Sequence, residues 1–287
     1  MASMREIKRR KGSISSTQQI TKAMKLVSTV KLQRAKGKAE STKPYFDCMF
    51  DTIATMLSKS ESIDHPYLRS GASPKKAVIT ITSNRGLAGG YNNNIVKLIT
   101  ADETFDQENT EIYALGKKGR DSLDLKGYKI ALDASEVMNA PMYADAKELS
   151  ETLLDRFEKG EIGEIYLAYT VFKNTVTHVP TMLKLLPVEI PEREAGEEPA
   201  ADIPMNYDPN EETVLGMIVP KYVTSLIYGA MKEAVASENG ARMQAMDSAT
   251  SNADEMIQKL ELDYNRARQG SITQELTEII AGAGAIS

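Results

Sequence analysis

The stretch Ala241–Ala267, ARMQAMDSATSNADEMIQKLELDYNRA, decides how this chain folds. Its residues Met243, Met246, Thr250, Ala253, Ile257, Leu260, Tyr264 and Ala267 recur in alternating steps of three and four. That is the a/d spacing of a coiled coil, and a strand, with its period of two, does not keep it. Pro220 is the last proline, so a helix is able to run from there to the C-terminus. At 1.5 Å per residue it would be roughly 100 Å long, more than a compact domain is wide. Part of it is expected to project and to need a partner along its seam. Upstream, Val214, Leu215, Ile218, Val219, Tyr222, Val223, Leu226 and Ile227 make a broader apolar face, suited to packing on a folded domain. Pro220 within that face reads as a kink or as the first residue of a fresh helix. After Ala267 the apolar series Ile272, Leu276, Ile279, Ala283 and Ile286 enters after a step of five. Such a slip changes the supercoil locally and predicts last turns that stand free of their partner.

The partner is sought at the other end of the chain. Ser3 to about Lys59 reads as helix, opened by a capping box of Ser3 and Glu6. Pro44 is expected to kink or end its first long portion. Met4, Ile7, Ile14, Ile20, Met24, Val27 and Val30 give a thin apolar seam, mixed with Thr17, Thr21 and Ser28. Past Pro44 a fuller stripe of Phe46, Met49, Phe50, Ile53, Met56 and Leu57 predicts packing on a domain, and places Cys48 on the buried side.

Between the two helices lies an alternation of strands and helices. Lys76–Thr82 is a β-branched run, followed by the turn Ser83–Asn92, SNRGLAGGYN, and a helix to about Thr100. Further strands are expected at Glu111–Leu115, Tyr128–Leu132, Glu164–Phe172 and Thr175–Pro187, the last two as a hairpin, with helices at Lys117–Leu125 and Ala144–Glu158. The class is α/β: a central Rossmann-like domain with a mixed sheet, plus a long antiparallel coiled coil from the N- and C-terminal helices. The expected domains are 1–59 (N-terminal coiled-coil helix), 75–188 (α/β), 189–209 (acidic, Pro-rich linker) and 210–287 (C-terminal coiled-coil helix).

Chemistry is sparse. Gly86, Gly89 and Gly90 match neither the dinucleotide spacing nor the nucleoside-triphosphate loop, so the turn reads as a close-approach turn. His65 and His178 are too few for a zinc site, and Cys48 is the one cysteine. His178 reads as a hydrogen-bonded structural residue; Asp254, Glu255, Glu261 and Asp263 read as solvated coil flanks. No cofactor, metal or catalytic constellation is expected. The first residues are charged without an apolar core behind them, unlike a secretory signal, and no apolar run approaches the ~20 residues of a membrane span. A cytoplasmic location is expected. Residues 1–43 carry +10 and the remainder −15, within a net charge of −5. The basic helix faces either an acidic protein surface or nucleic acid; the absence of aromatics before Tyr45 weighs against nucleic acid.

Four segments carry a resemblance: Met4–Arg10 (MREIKRR), Ile20–Val27 (ITKAMKLV), Thr82–Tyr91 (TSNRGLAGGY) and Arg266–Ile280 (RARQGSITQELTEII). With Ser237–Met243 they resemble, in order along the whole chain, the gamma subunits of bacterial F-type ATP synthases. The resemblance implies a non-catalytic central-stalk rotor, coupling ion flow through the membrane c ring to ATP synthesis or hydrolysis at the beta subunits. It implies one copy per complex, with three alpha and three beta subunits, epsilon and the c ring as partners. It implies no nucleic acid, indirect membrane association, and a peripheral place on the cytoplasmic face of the cell membrane. By the same resemblance Lys22, Met24, Lys25, Arg268, Gln269, Thr273 and Glu275 meet beta, and Tyr207 meets the c ring. The alternatives are a coiled-coil nucleic-acid binder using residues 1–43 and an α/β enzyme holding nucleotide at Ser83–Asn92.

Overall fold

The computed structural model describes residues 3–59, 65–188, 207–208 and 210–284. The side chains of Phe46, Phe50, Leu57 and Ala283, residue Ile286, and the acidic linker over 189–206 lie outside the described residues. Two compact units emerge: residues 1–29 with 242–287, and residues 30–241.

The second unit holds a five-stranded sheet in the order β3-β2-β1-β4-β5. Its strands are β1 (Lys76–Ile81), β2 (Thr110–Leu115), β3 (Lys129–Asp133), β4 (Glu164–Phe172) and β5 (His178–Leu186). The first four run parallel, and β5 pairs antiparallel to β4, so the sheet is mixed as expected. The central strands are buried on both faces, which is why Ala77–Ile79 and Ile112–Leu115 run without apolar–polar alternation. Helices α2 (Tyr91–Thr100) and α3 (Lys117–Asp124) cover one face through Ile95, Val96, Ile99 and Leu123. The other face is covered by α4 (Tyr143–Glu158) and by parts of two long helices, α1 (Met4–Lys59) and α5 (Glu211–Gly284). Ile53 and Met56 of α1 enter this core, as do Leu215, Val219, Val223 and Ile227 of α5, in four-residue steps.

Three expectations are corrected. Pro44 neither ends α1 nor breaks it, and Pro220 lies inside α5; the helices run through both. The missing N–H costs one bond per site, and at Pro220 burial of Leu215, Val219 and Val223 offsets it. Cys48 is exposed, because the buried stripe runs through Ile53 and Met56 and one residue off such a stripe turns about 100° around the helix. His178 is packed against Phe172, yet its Nε2 is buried with no hydrogen-bond partner among the described residues. By length and composition α5 passes the test for a membrane span, yet 44% of that window is buried inside the protein, as in a core helix.

The turn after β1 is held by its own polar side chains. The Ser83 amide donates to Asn92 Oδ1 at 2.8 Å, Asn84 Nδ2 donates to the Ser135 carbonyl at 2.8 Å, and the Lys117 amide donates to Asn84 Oδ1 at 3.0 Å. These residues tie three strand ends together; among the described residues no backbone approaches Gly86 or Gly90 closely, and Gly89, at φ 56°, is the glycine whose conformation the turn uses. At the end of β2, Gly116 has φ +130°, and a Cβ there would meet the Thr82 carbonyl at 2.2 Å, so only glycine fits.

Candidate partner interface

The first unit is built from Ser3–Thr29 of α1 and Arg242–Gly284 of α5. The capping box at its start is present: the Glu6 amide donates to Ser3 Oγ at 3.3 Å and the Ser3 amide to Glu6 Oε2 at 3.1 Å. On α5 the seam is the one read from the sequence. Met246 and Ala253 are buried, and Met243, Thr250, Ile257, Leu260, Tyr264 and Ala267 are half-buried.

On α1 the seam differs from the expected one. Ile20 is 60% exposed and Val27 is also exposed, whereas Ile7, Thr21 and Ser28 are buried and Ile14 half-buried. The buried set follows a strict heptad that is only half apolar; Thr21 and Ser28 belong to it as expected, while Thr17, Ile20, Val27 and Val30 do not. Between the buried positions lie Lys11, Gln18 and Lys25, each reaching across to α5. Lys11 Nζ meets Glu261 Oε1 at 2.6 Å and Lys25 Nζ meets Asp247 Oδ1 at 2.5 Å. Gln18 Nε2 donates to Asp254 Oδ1, and the Thr21 and Thr250 hydroxyls are 2.8 Å apart. Asp254 and Glu261 are therefore cross-helix partners as well as flanks. The signal was in the sequence: Asp247, Asp254 and Glu261 keep the same seven-residue interval as Lys11, Gln18 and Lys25.

The residues assigned to partners fall into separate places. Lys22 is exposed, Met24 is half-buried, and Lys25 turns to Asp247 with 39% of its side chain still open. Arg268, Gln269, Thr273 and Glu275 are exposed on α5, about 30 to 40 Å along the helix from Asp247 at 1.5 Å per residue. Antiparallel pairing of Lys11 with Glu261 sets Met4 opposite Arg268. The described part of α5 past Arg268 thus runs beyond the start of α1. There Ser271 continues the half-buried seam, while Ile272, Leu276, Ile279 and Ile280 are all exposed, Ile279 at 68%. The seam itself does not slip; the apolar residues leave it. Tyr207, in the other unit, is half-buried and packs on the apolar core shared with α4 and α5. Among the described residues no group of three or more His, Cys, Asp and Glu is placed to hold a metal.

The outer faces of the coil expose Lys8, Arg9, Arg10 and Lys22 beside Ile20, Leu26 and Val27. An antiparallel coil with exposed cations and apolar residues, in a chain that also holds an α/β domain with a mixed sheet, defines the class as a coiled-coil and α/β protein of two units. The ATP synthase family model matches residues 3–286. An ATP synthase gamma chain from Lachnoclostridium phytofermentans is 62% identical over 292 residues, covering all of both chains. Two structures of the Euglena gracilis mitochondrial ATP synthase share the fold at 18% identity. One, of the rotor in rotational state 1, covers 94% of this chain and 98% of that one with a TM-score of 0.64. The other, of OSCP, F1 and the c ring in rotational state 3, covers 99% and 94% with a TM-score of 0.66. The chain belongs to the ATP synthase gamma chain family.

Proposed function

We propose that this chain, a non-catalytic central-stalk subunit of an F-type ATP synthase, works as its rotor. It turns within the complex and couples ion flow through the c ring to ATP synthesis or hydrolysis at the beta subunits. One copy serves three alpha and three beta subunits, with epsilon and the c ring as further partners. It takes no nucleic acid, and it sits peripherally on the cytoplasmic face of the cell membrane. The observation that carries this reading is the pairing of a full-length 62% relative named a gamma chain with a coil whose outer face is left basic and apolar.

Within this reading, Lys22, Met24 and Lys25 face an acidic surface of beta. Lys22 and the open part of Lys25 supply charge, and Met24 supplies adaptable apolar contact. Arg268, Gln269, Thr273 and Glu275 form a second contact with beta, where the exposed Ile272 and Leu276 lie alongside. Tyr207 is the contact to the c ring, its ring half-buried in the domain.

The test is reconstitution of the full chain with alpha and beta subunits, followed by ATP hydrolysis and rotation assays. Met24→Lys is expected to lower rotation efficiency while leaving the free chain folded. Unchanged efficiency removes Met24 from the beta contact. Retention of the free chain on DNA at physiological salt, with no capture by alpha and beta, contradicts the rotor reading.

A further inference from the structure

We infer that His65 is a pH-sensitive clasp: its neutral imidazole caps the short 3-10 helix Pro66–Leu68, and protonation releases that cap. The inference rests on contacts within the second unit and stands apart from the rotor reading. Pro66 opens this helix and has no N–H, so Tyr67 carries the first amide that needs an acceptor. It finds one in His65 Nδ1, at 3.2 Å. Serine, threonine and asparagine are the usual capping residues, and they hold an amide at any pH. Histidine holds it only while Nδ1 carries no proton.

The cap seats a residue that touches two further elements. Tyr67 is buried; its ring centroid lies 6.4 Å from that of Phe157 and 4.8 Å from that of the imidazole, and its hydroxyl donates to Glu158 Oε1. Its carbonyl accepts the Val188 amide at 2.8 Å, just past the end of β5. The turn therefore joins the last turn of α4 to the end of β5. Helix α5 flanks the imidazole as well: a Cβ at Gly216 would lie 3.2 Å from His65 Nε2. With Nδ1 accepting, the proton of the neutral ring sits on Nε2. Burial lowers the pKa of this ring below the ordinary histidine value, outweighing Glu212 of α5 and Glu158 of α4, which raise it. The clasp is thus closed at neutral pH and opens as pH falls below the ordinary histidine value. A charged ring cannot accept from Tyr67. It is drawn instead to Glu212 and Glu158, and at Glu158 it competes with the Tyr67 hydroxyl. The Tyr67 amide is then left without its acceptor inside a buried residue.

Amide hydrogen exchange of the full chain, resolved by residue and corrected for intrinsic rates, tests it at pH 7.5 and pH 5.5. Protection of the Tyr67 and Val188 amides is expected to fall about three- to tenfold at the lower pH, the worth of one hydrogen bond, relative to the amides of β1. In His65→Asn both are expected to keep their protection, because an asparagine oxygen takes the amide two residues on and does not titrate. In His65→Ala the Tyr67 amide is expected to be weakly protected at both values. Unchanged relative protection of Tyr67 in the parent chain overturns the inference, as does an equal fall in parent and His65→Asn. Should the asparagine chain not fold, the imidazole 15N spectrum of the parent chain decides: a His65 ring protonated on Nε2 at pH 7.5 supports the clasp, and one protonated on Nδ1 overturns it.

Discussion

Gly240 is the point where the imidazole of His178 rests on α5. A Cβ there would lie 2.4 Å from His178 Nε2, so the glycine that weakens the helix in isolation is a notch for a neighbouring ring. Gly240→Ala is expected to destabilise the chain by about 1–3 kcal/mol in urea unfolding, and His178→Ala in the same chain to recover part of that. Burial lowers the pKa of His178 below its ordinary value. A histidine kept neutral in the folded state must charge on unfolding in acid. Its contribution is therefore complete above the ordinary histidine pKa and is lost as pH falls below it. His178→Gln is expected to flatten the stability profile between about pH 7 and pH 5, and an unchanged slope would reject this. Glu111 on β2 is a buried carboxylate, 4% exposed. Burial alone would raise its pKa, but hydrogen bonds from Lys129 at 2.7 Å and Arg156 at 2.8 Å outweigh that and hold it below the usual carboxylate value. Its stabilisation is present at neutral pH and disappears as pH falls through and below the carboxylate range. Arg156→Ala leaves Lys129 as the one remaining cation on Glu111 among the described residues and is expected to cost about 1.5–3 kcal/mol at pH 7, less at pH 4, by denaturant midpoint.

At the scale of elements, the strands and the α5 seam were legible because burial on both sheet faces and the heptad spacing leave periodic marks. β4, for example, spans the run EIYLAYTVF from end to end. Two things were less legible. The path of the helices through Pro44 and Pro220 was legible only in part: each was read as a kink or a boundary, and local sequence does not contain the tertiary packing that excludes the boundary. The α1 seam was legible in part: Thr21 and Ser28, read into it, are buried, but Ile20, Val27 and Val30 are exposed, because the helix is set by a partner such as Thr250, more than two hundred residues away. Of the partner contacts, Met24 was marked only through resemblance, whereas Arg268 and Gln269 also stood out by clustering with Arg266 near the end of the α5 seam. The exposed row on α5 gives a check at this scale. Leu276 and Ile279, being exposed, are expected to tolerate replacement by serine within about 0.5 kcal/mol in the free chain. The same replacements are expected to weaken assembly with alpha and beta, measured by co-purification. A large loss of stability in the free chain would mean that these side chains are covered within it.

For the whole molecule, a rotor has to be held by its partners without being fixed to them. The coil keeps its ionic rungs internal, Lys11 to Glu261 and Lys25 to Asp247, and turns outward a mixture of cations and single apolar side chains. Broad, weakly directional contact of this kind suits a shaft that must pass several equivalent partner surfaces. The most direct measurement is single-molecule observation of the reconstituted complex, with alpha and beta subunits fixed to a surface and a probe on the sheet domain of this chain. On addition of ATP the probe is expected to turn continuously in one direction, and to stop when ATP is exhausted. A probe that stays still while the same complex hydrolyses ATP would contradict the account.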